Sequence, residues 1–191
     1  MGERFSFHTT PISGLWQVVR NDFSDSRGVF AKLFSAGDFK KIGLTRPIVQ
    51  INHSLSRNKG TVRGLHFQHP PHAETRIISC TAGRIFDVAV DLRAGSPTYL
   101  KWYGVELSPE KKNALVIPEG FAHGFQTLEA DCELIYLHTG NYEPDAEDAL
   151  NIADPALAID WPLPPGGLSA RDEAHKMLAT REFAGINTDK D

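Results

Sequence analysis

Eight histidines occur among the 191 residues of the chain. Imidazole changes charge near neutrality, which makes it both a frequent metal ligand and a frequent general base. His53, His66, His69 and His72 fall near the ends of strand-like runs, and His123 follows a Pro118-Glu119-Gly120 turn. Two chemistries are open to such a set. His66, His72, Glu74 and His123 together match a metal-binding pattern of imidazoles plus a carboxylate. Alternatively, one imidazole moves a proton, helped by a carboxylate that braces its ring. Asp87 is a candidate brace. Its plain reading is a turn cap or the partner of a neighbouring arginine.

These side chains need elements to position them. Short apolar or alternating runs recur at Gly28 to Phe34, Pro47 to His53, Thr61 to Phe67, Arg76 to Cys80, Gly83 to Leu92, Tyr99 to Leu107, Ala114 to Ile117, His123 to Leu128 and Cys132 to Thr139. Turn residues separate them, as in Ser56 to Gly60, His69-Pro70-Pro71 and Ala94 to Pro97. Many strands at even spacing predict an all-β barrel or sandwich. In Phe86 to Leu92 the large apolar residues take one face and both aspartates the other. A barrel with a polar lumen gives this pattern, and so does a strand with one face in water. Helix is expected only near Ala36 to Ile42 and from Ser169 to about Phe183, the second opening on a capping-box pattern with Asp172 at its third position. This C-terminal segment is expected to pack over the outside or mouth of the barrel.

Length is consistent with one domain over residues 1–191, able to bury a core without disulfides. The hydrophobic fraction of 41% and charged fraction of 23% are ordinary for a globular protein. No apolar run approaches the roughly 20 residues that cross a bilayer. The start Met1-Gly2-Glu3-Arg4-Phe5 lacks a signal-peptide core, so a cytoplasmic protein without membrane contact is expected. Cys80 and Cys132 form no C-x-x-C spacing and read as buried thiols. The net charge of −4 argues against nucleic acid as a partner.

Five segments carry a resemblance. Val49 to Ser54, Thr61-Val62-Arg63-Gly64-Leu65-His66-Phe67-Gln68, Phe86 to Asp91, Ile117-Pro118-Glu119-Gly120-Phe121-Ala122-His123-Gly124-Phe125 and Leu168 to Asp172 together resemble the dTDP-4-dehydrorhamnose 3,5-epimerase family. The likeness runs in order from about residue 10 to about residue 178. It implies a cupin-type jelly roll with short peripheral helices, no metal or other cofactor, and a homodimer. It also implies a nucleoside diphosphate linked to a 4-keto-6-deoxyhexose as substrate, inverted at C3, C5 or both.

A proton beside a ketone leaves only if the enolate is stabilised, so a base, a donor near the ketone oxygen and an acid on the opposite face are all needed. By resemblance His66 is the base, Asp172 its paired carboxylate and Tyr136 the acid. Plain structure offers rival readings, a helix cap for Asp172 and a core tyrosine for Tyr136. The resemblance assigns the diphosphate to Arg63, Arg171 and Arg27, the last crossing from a partner subunit on the segment that carries Phe30. Arginine suits a diphosphate because its planar fork donates two hydrogen bonds at once. Gln50, Asn52 and His123 are the expected polar contacts. Strict alternation puts Arg63 and His66 on opposite faces, so a bulge at Gly64 is required if both serve one site.

Three positions depart from the family pattern. Arg76 stands where a lysine near the ketone oxygen is usual, Asn141 where an aromatic stacks on the nucleotide base, and Lys32 where a glutamate is common. Retained proton chemistry on a shifted substrate follows from these changes. The alternatives are a ketoisomerase, a single-centre epimerase on another nucleotide sugar, a metal-dependent cupin and a non-catalytic sugar-binding cupin.

Overall fold

A computed structural model describes residues 3–188; Met1, Gly2 and the last three residues lie outside them. Two antiparallel sheets face each other. One orders its strands β1 (Phe5–Thr9), β2 (Trp16–Arg20), β10 (Asn113–Ile117), β7 (Arg76–Ala82), β12 (Cys132–His138) and β5 (Gln50–Ser56). The other orders β13 (Glu147–Ala149), β6 (Val62–Gln68), β11 (Phe121–Thr127), β8 (Ile85–Asp91) and β9 (Trp102–Leu107). This is a jelly-roll barrel. A separate hairpin joins β3 (Phe23–Asp25) to β4 (Gly28–Phe30).

Apolar side chains on alternate positions fill three layers. Between the sheets lie Ile78, Cys80, Ile85, Leu107, Leu115, Phe125, Cys132 and Leu134. Outside the five-stranded sheet, Val62, Phe67, Val88 and Val90 pack under Leu150, Ile152, Leu157 and Ile186. Outside the six-stranded sheet, Val18, Ile77 and Val116 pack under Phe39 and Leu44. Both faces of β8 are thus buried, and Asp87 and Asp91 point into the molecule, fully buried. The reading with one face in water fails for β8. Cys80 and Cys132 are buried free thiols, as expected.

The first expected helix forms as α1 (Ala36–Phe39) running into a 3₁₀ turn, Lys40–Ile42. The second is corrected: α2 spans only Ala170–Glu173. Beyond it the chain lies along the five-stranded sheet, where Leu178, Phe183 and Ile186 pack against the outer layer, and burial of those side chains overrides helical periodicity. The expected strand Gly28 to Phe34 ends at Phe30, and β1, β2, β3 and β13 were not foreseen. Among the described residues no helix is long and apolar enough to cross a membrane.

Candidate active site

Gly64 sets the geometry of the site. On β11, His123 pairs with His66 and Phe125 with Arg63, so three steps on β6 oppose two on its partner. Gly64 adopts φ +134, and a Cβ there would lie 2.6 Å from Gly124 Cα. Only a residue without a side chain fits. The extra residue reverses the parity between Arg63 and His66, and both line one cavity of about 560 Å³. The bulge expected at Gly64 is present.

The cavity lies between the sheets. His66 and His123 enter from the five-stranded sheet; Gln50, Asn52, Arg76, Tyr136 and His138 enter from the six-stranded one. His66 Nε2 lies 2.7 Å from Asp172 Oδ1. The capping rival for Asp172 holds only for its backbone: Asp172 N–H donates to Ser169 Oγ at 3.1 Å, which leaves the carboxylate to His66. Burial is the largest influence on Asp172 and opposes its ionisation, but the hydrogen bond and charge of His66, with Ser169 and His175, together outweigh it and keep the carboxyl below its ordinary range. His175, also beside Asp172, has its basicity lowered by burial and then by His66.

Tyr136 shares a hydrogen bond of 3.1 Å with Ser54 Oγ, and burial pushes its phenol up to about 12. Arg76 donates from Nη1 to the His66 carbonyl at 2.8 Å and from Nε to Glu74 Oε1 at 2.9 Å. The other Glu74 oxygen lies 3.0 Å from His138 Nδ1. Asp87 stands behind the wall, its Oδ1 2.7 Å from His123 Nε2, as a brace for the ring. Arg63 Nε donates to Ser56 Oγ at 3.1 Å. A smaller hollow of about 290 Å³ continues past His66 between Arg63, Ser169, Arg171 and Asp172, and Arg171 pairs with Glu147.

Several expected residues fall elsewhere. Arg27, its side chain 86% exposed, and Phe30, 70% exposed, sit on the β3–β4 hairpin and do not line the cavity of their own chain. Asn141 is exposed and offers only its carbonyl, to Gln68 Nε2; the neighbouring Tyr142 lines the cavity instead. Lys32 is exposed. His72 is exposed too, so His66, His72, Glu74 and His123 do not converge as metal ligands. The ligand-capable group among the described residues is His66, Asp172 and His175. Sequence reading passed over His138 and Ser54; the alternation Leu134, Tyr136, His138 placed the first on the same face as the tyrosine.

Comparison with known proteins fits this geometry. The family model described as dTDP-4-dehydrorhamnose 3,5-epimerase matches residues 9–180. The dTDP-4-dehydrorhamnose 3,5-epimerase of Sinorhizobium fredii is 45% identical over 82% of this chain and 80% of its own. A dTDP-4-dehydrorhamnose 3-epimerase of Streptomyces niveus is 39% identical over 92% and 84%. The crystal structure of the Legionella pneumophila dTDP-6-deoxy-D-glucose-3,5-epimerase with dTDP-4-keto-L-rhamnose superposes with a TM-score of 0.91 at 39% identity, covering 97% of this chain and 100% of that one. The chain belongs to the dTDP-4-dehydrorhamnose 3,5-epimerase family, isomerases on a jelly-roll barrel.

Proposed function

We propose that the protein inverts C3, C5 or both of a nucleoside-diphosphate 4-keto-6-deoxyhexose, with His66 as base and Tyr136 as acid. The observation that carries this reading is the placement of the His66–Asp172 pair and Tyr136 on opposing sheets across one cavity. His66 Nε2 is held by Asp172, which leaves Nδ1 to take a proton from a carbon beside the ketone. Asp172 then stabilises the imidazolium. The Arg76 guanidinium, anchored by Glu74 and the His66 carbonyl, supplies the donor for the enolate oxygen. Tyr136 stays protonated at neutral pH because burial disfavours its phenolate, and it returns the proton from the other face. Arg63 and Arg171 meet the diphosphate at the hollow beside Asp172, and the Tyr142 ring is the surface for the base.

The working unit is a homodimer in which Arg27 and Phe30 of one protomer reach the cavity of the other. Support comes from exposed apolar side chains that water does not favour: Phe23, Val29 and Phe30 on the hairpin, and Val49, Ile51 and Leu55 on or beside edge strand β5. Ile51 stands at the cavity mouth. Light scattering should give twice the chain mass. Mixing inactive R27A and H66N proteins should restore activity through heterodimers that hold one intact site, and a monomer or no complementation would refute the crossover.

The test of function is incubation of EDTA-treated protein with dTDP-4-keto-6-deoxyglucose and identification of the product by NMR. Conversion to dTDP-4-keto-L-rhamnose is the outcome for inversion at both centres, and a single-centre epimer is the outcome for one. Recovery of unchanged sugar, also with other nucleotides, would overturn the reading.

A further inference from the structure

Beside Tyr136 the cavity holds a second carboxylate–imidazole pair. His138 sits two residues further along β12, on the same inward face. Its ring lies nearly parallel to that of Tyr136, 15° apart with centroids separated by 6.2 Å. Glu74 Oε2 is 3.0 Å from His138 Nδ1, and Asn52 Nδ2–H donates to His138 Nε2 at 3.4 Å, a long bond that gives way when Nε2 takes up a proton. A carboxylate against Nδ1 fixes a proton there and orients Nε2. The opposing sheet carries the other imidazole–carboxylate pair, His66 with Asp172, held through Nε2 rather than Nδ1. Glu74 can hold the ring as an anion, because His138 and Arg76 outweigh the burial that opposes its charge and keep the carboxyl below its ordinary value.

Position separates the two pairs in role. Anything bound between the sheets has His66 on one side and β12 on the other. Tyr136, with its phenol pushed up to about 12, is a weak donor at neutral pH, whereas an imidazolium is a strong one.

We propose that His138, held by Glu74, is a second proton donor on the tyrosine side of the cavity. This rests on the epimerase reading. Imidazolium Nε2–H passes its proton to the enolate carbon, a C–H bond forms as the ketone is restored, and His138 is left neutral. Water recharges it, while the proton taken by His66 leaves to water.

The test follows deuterium uptake and inversion together, at C3 and at C5, for dTDP-4-keto-6-deoxyglucose in deuterium oxide. A donor lost from the far side lets His66 return the isotope to the face it came from, so exchange outruns inversion. His138→Gln should raise the ratio of exchange to inversion about tenfold or more at one or both centres. His138→Phe, which keeps a flat ring against Tyr136, should do the same and serves if the first variant does not fold. A merely structural role would slow exchange and inversion together, and an unchanged ratio at both centres in a folded variant overturns the proposal. If wild-type protein neither exchanges nor inverts, the epimerase reading itself has failed, which is a different result.

Discussion

The two ends of the barrel interior are made by the same strands yet have opposite character. On β7, Ile78 and Cys80 belong to the apolar core, while Arg76 on the same face enters the cavity. On β12, Cys132 and Leu134 are core, Tyr136 is packed against it, and His138 is in the cavity. Registers align the two halves: Leu134 opposes Cys80, and His138 opposes Arg76. Ile85 of β8 is core, whereas Asp87 two residues on braces His123. On β7 and β12 stability and chemistry are therefore divided along strand length, whereas on β8 and β11 core residues flank the polar ones, Ala89 beyond Asp87 and Phe121 and Phe125 on either side of His123. The closed end, free of polar demands, holds the sheets at the spacing that the open end uses.

That division can be broken at its junction. Gly64→Ala puts a Cβ against the Gly124 backbone at a positive φ. It should cost about 2–4 kcal/mol in denaturant unfolding and, by re-aiming His66 and Arg63, remove nearly all exchange activity. The closed end alone is probed by Leu134→Ala, fully buried in the wild type. A loss of about 2–5 kcal/mol is expected, with activity per folded molecule retained; a comparable fall in turnover would show that the ends are not separable.

At the open end, Asp172→Asn should slow proton exchange by about a hundredfold. Because Ser169 caps through the Asp172 backbone N–H, the change should barely move the melting temperature. Strong destabilisation would restore the plain capping role. The smallest effect concerns Asp91, whose carboxyl accepts hydrogen bonds from Arg93, Ser96 and Thr98. Burial opposes its charge, but those bonds prevail and bring its pKa down to about 2. A depressed carboxylate stabilises the fold above its unfolded value near ~3.9, and that contribution is lost as pH falls towards about 2. Thermal melts of wild type against D91N should converge over that interval and separate above it.

Much of the barrel was legible because its strands carry local signals: alternation in Phe86 to Leu92, turn residues at Ala94 to Pro97, the Gly64 parity conflict. The shortened α2 was not, since Ser169 to Asp172 is a good helix start and only the sheet surface that takes Leu178 and Phe183 shows why the helix stops. In the site, His66, Asp172 and Tyr136 came from segment likeness, and the long sequence separation of His66 and Asp172 leaves no local trace of their contact. The Glu74–His138 pair was missed because Glu74 lies in the segment before β7 and His138 on β12, far apart in sequence, and neither residue belongs to a matched segment. Arg27 and Phe30 lie away from the cavity of their own chain, so a single chain cannot display the contact expected of them.

The central claim is that the open end transfers protons through His66. Its most direct test is NMR of dTDP-4-keto-6-deoxyglucose in deuterium oxide with wild-type and His66→Asn proteins. Loss of the C3 or C5 proton signal with wild type, and exchange at least about a hundredfold slower with the folded variant, is the predicted result. Exchange by H66N at the wild-type rate would contradict it.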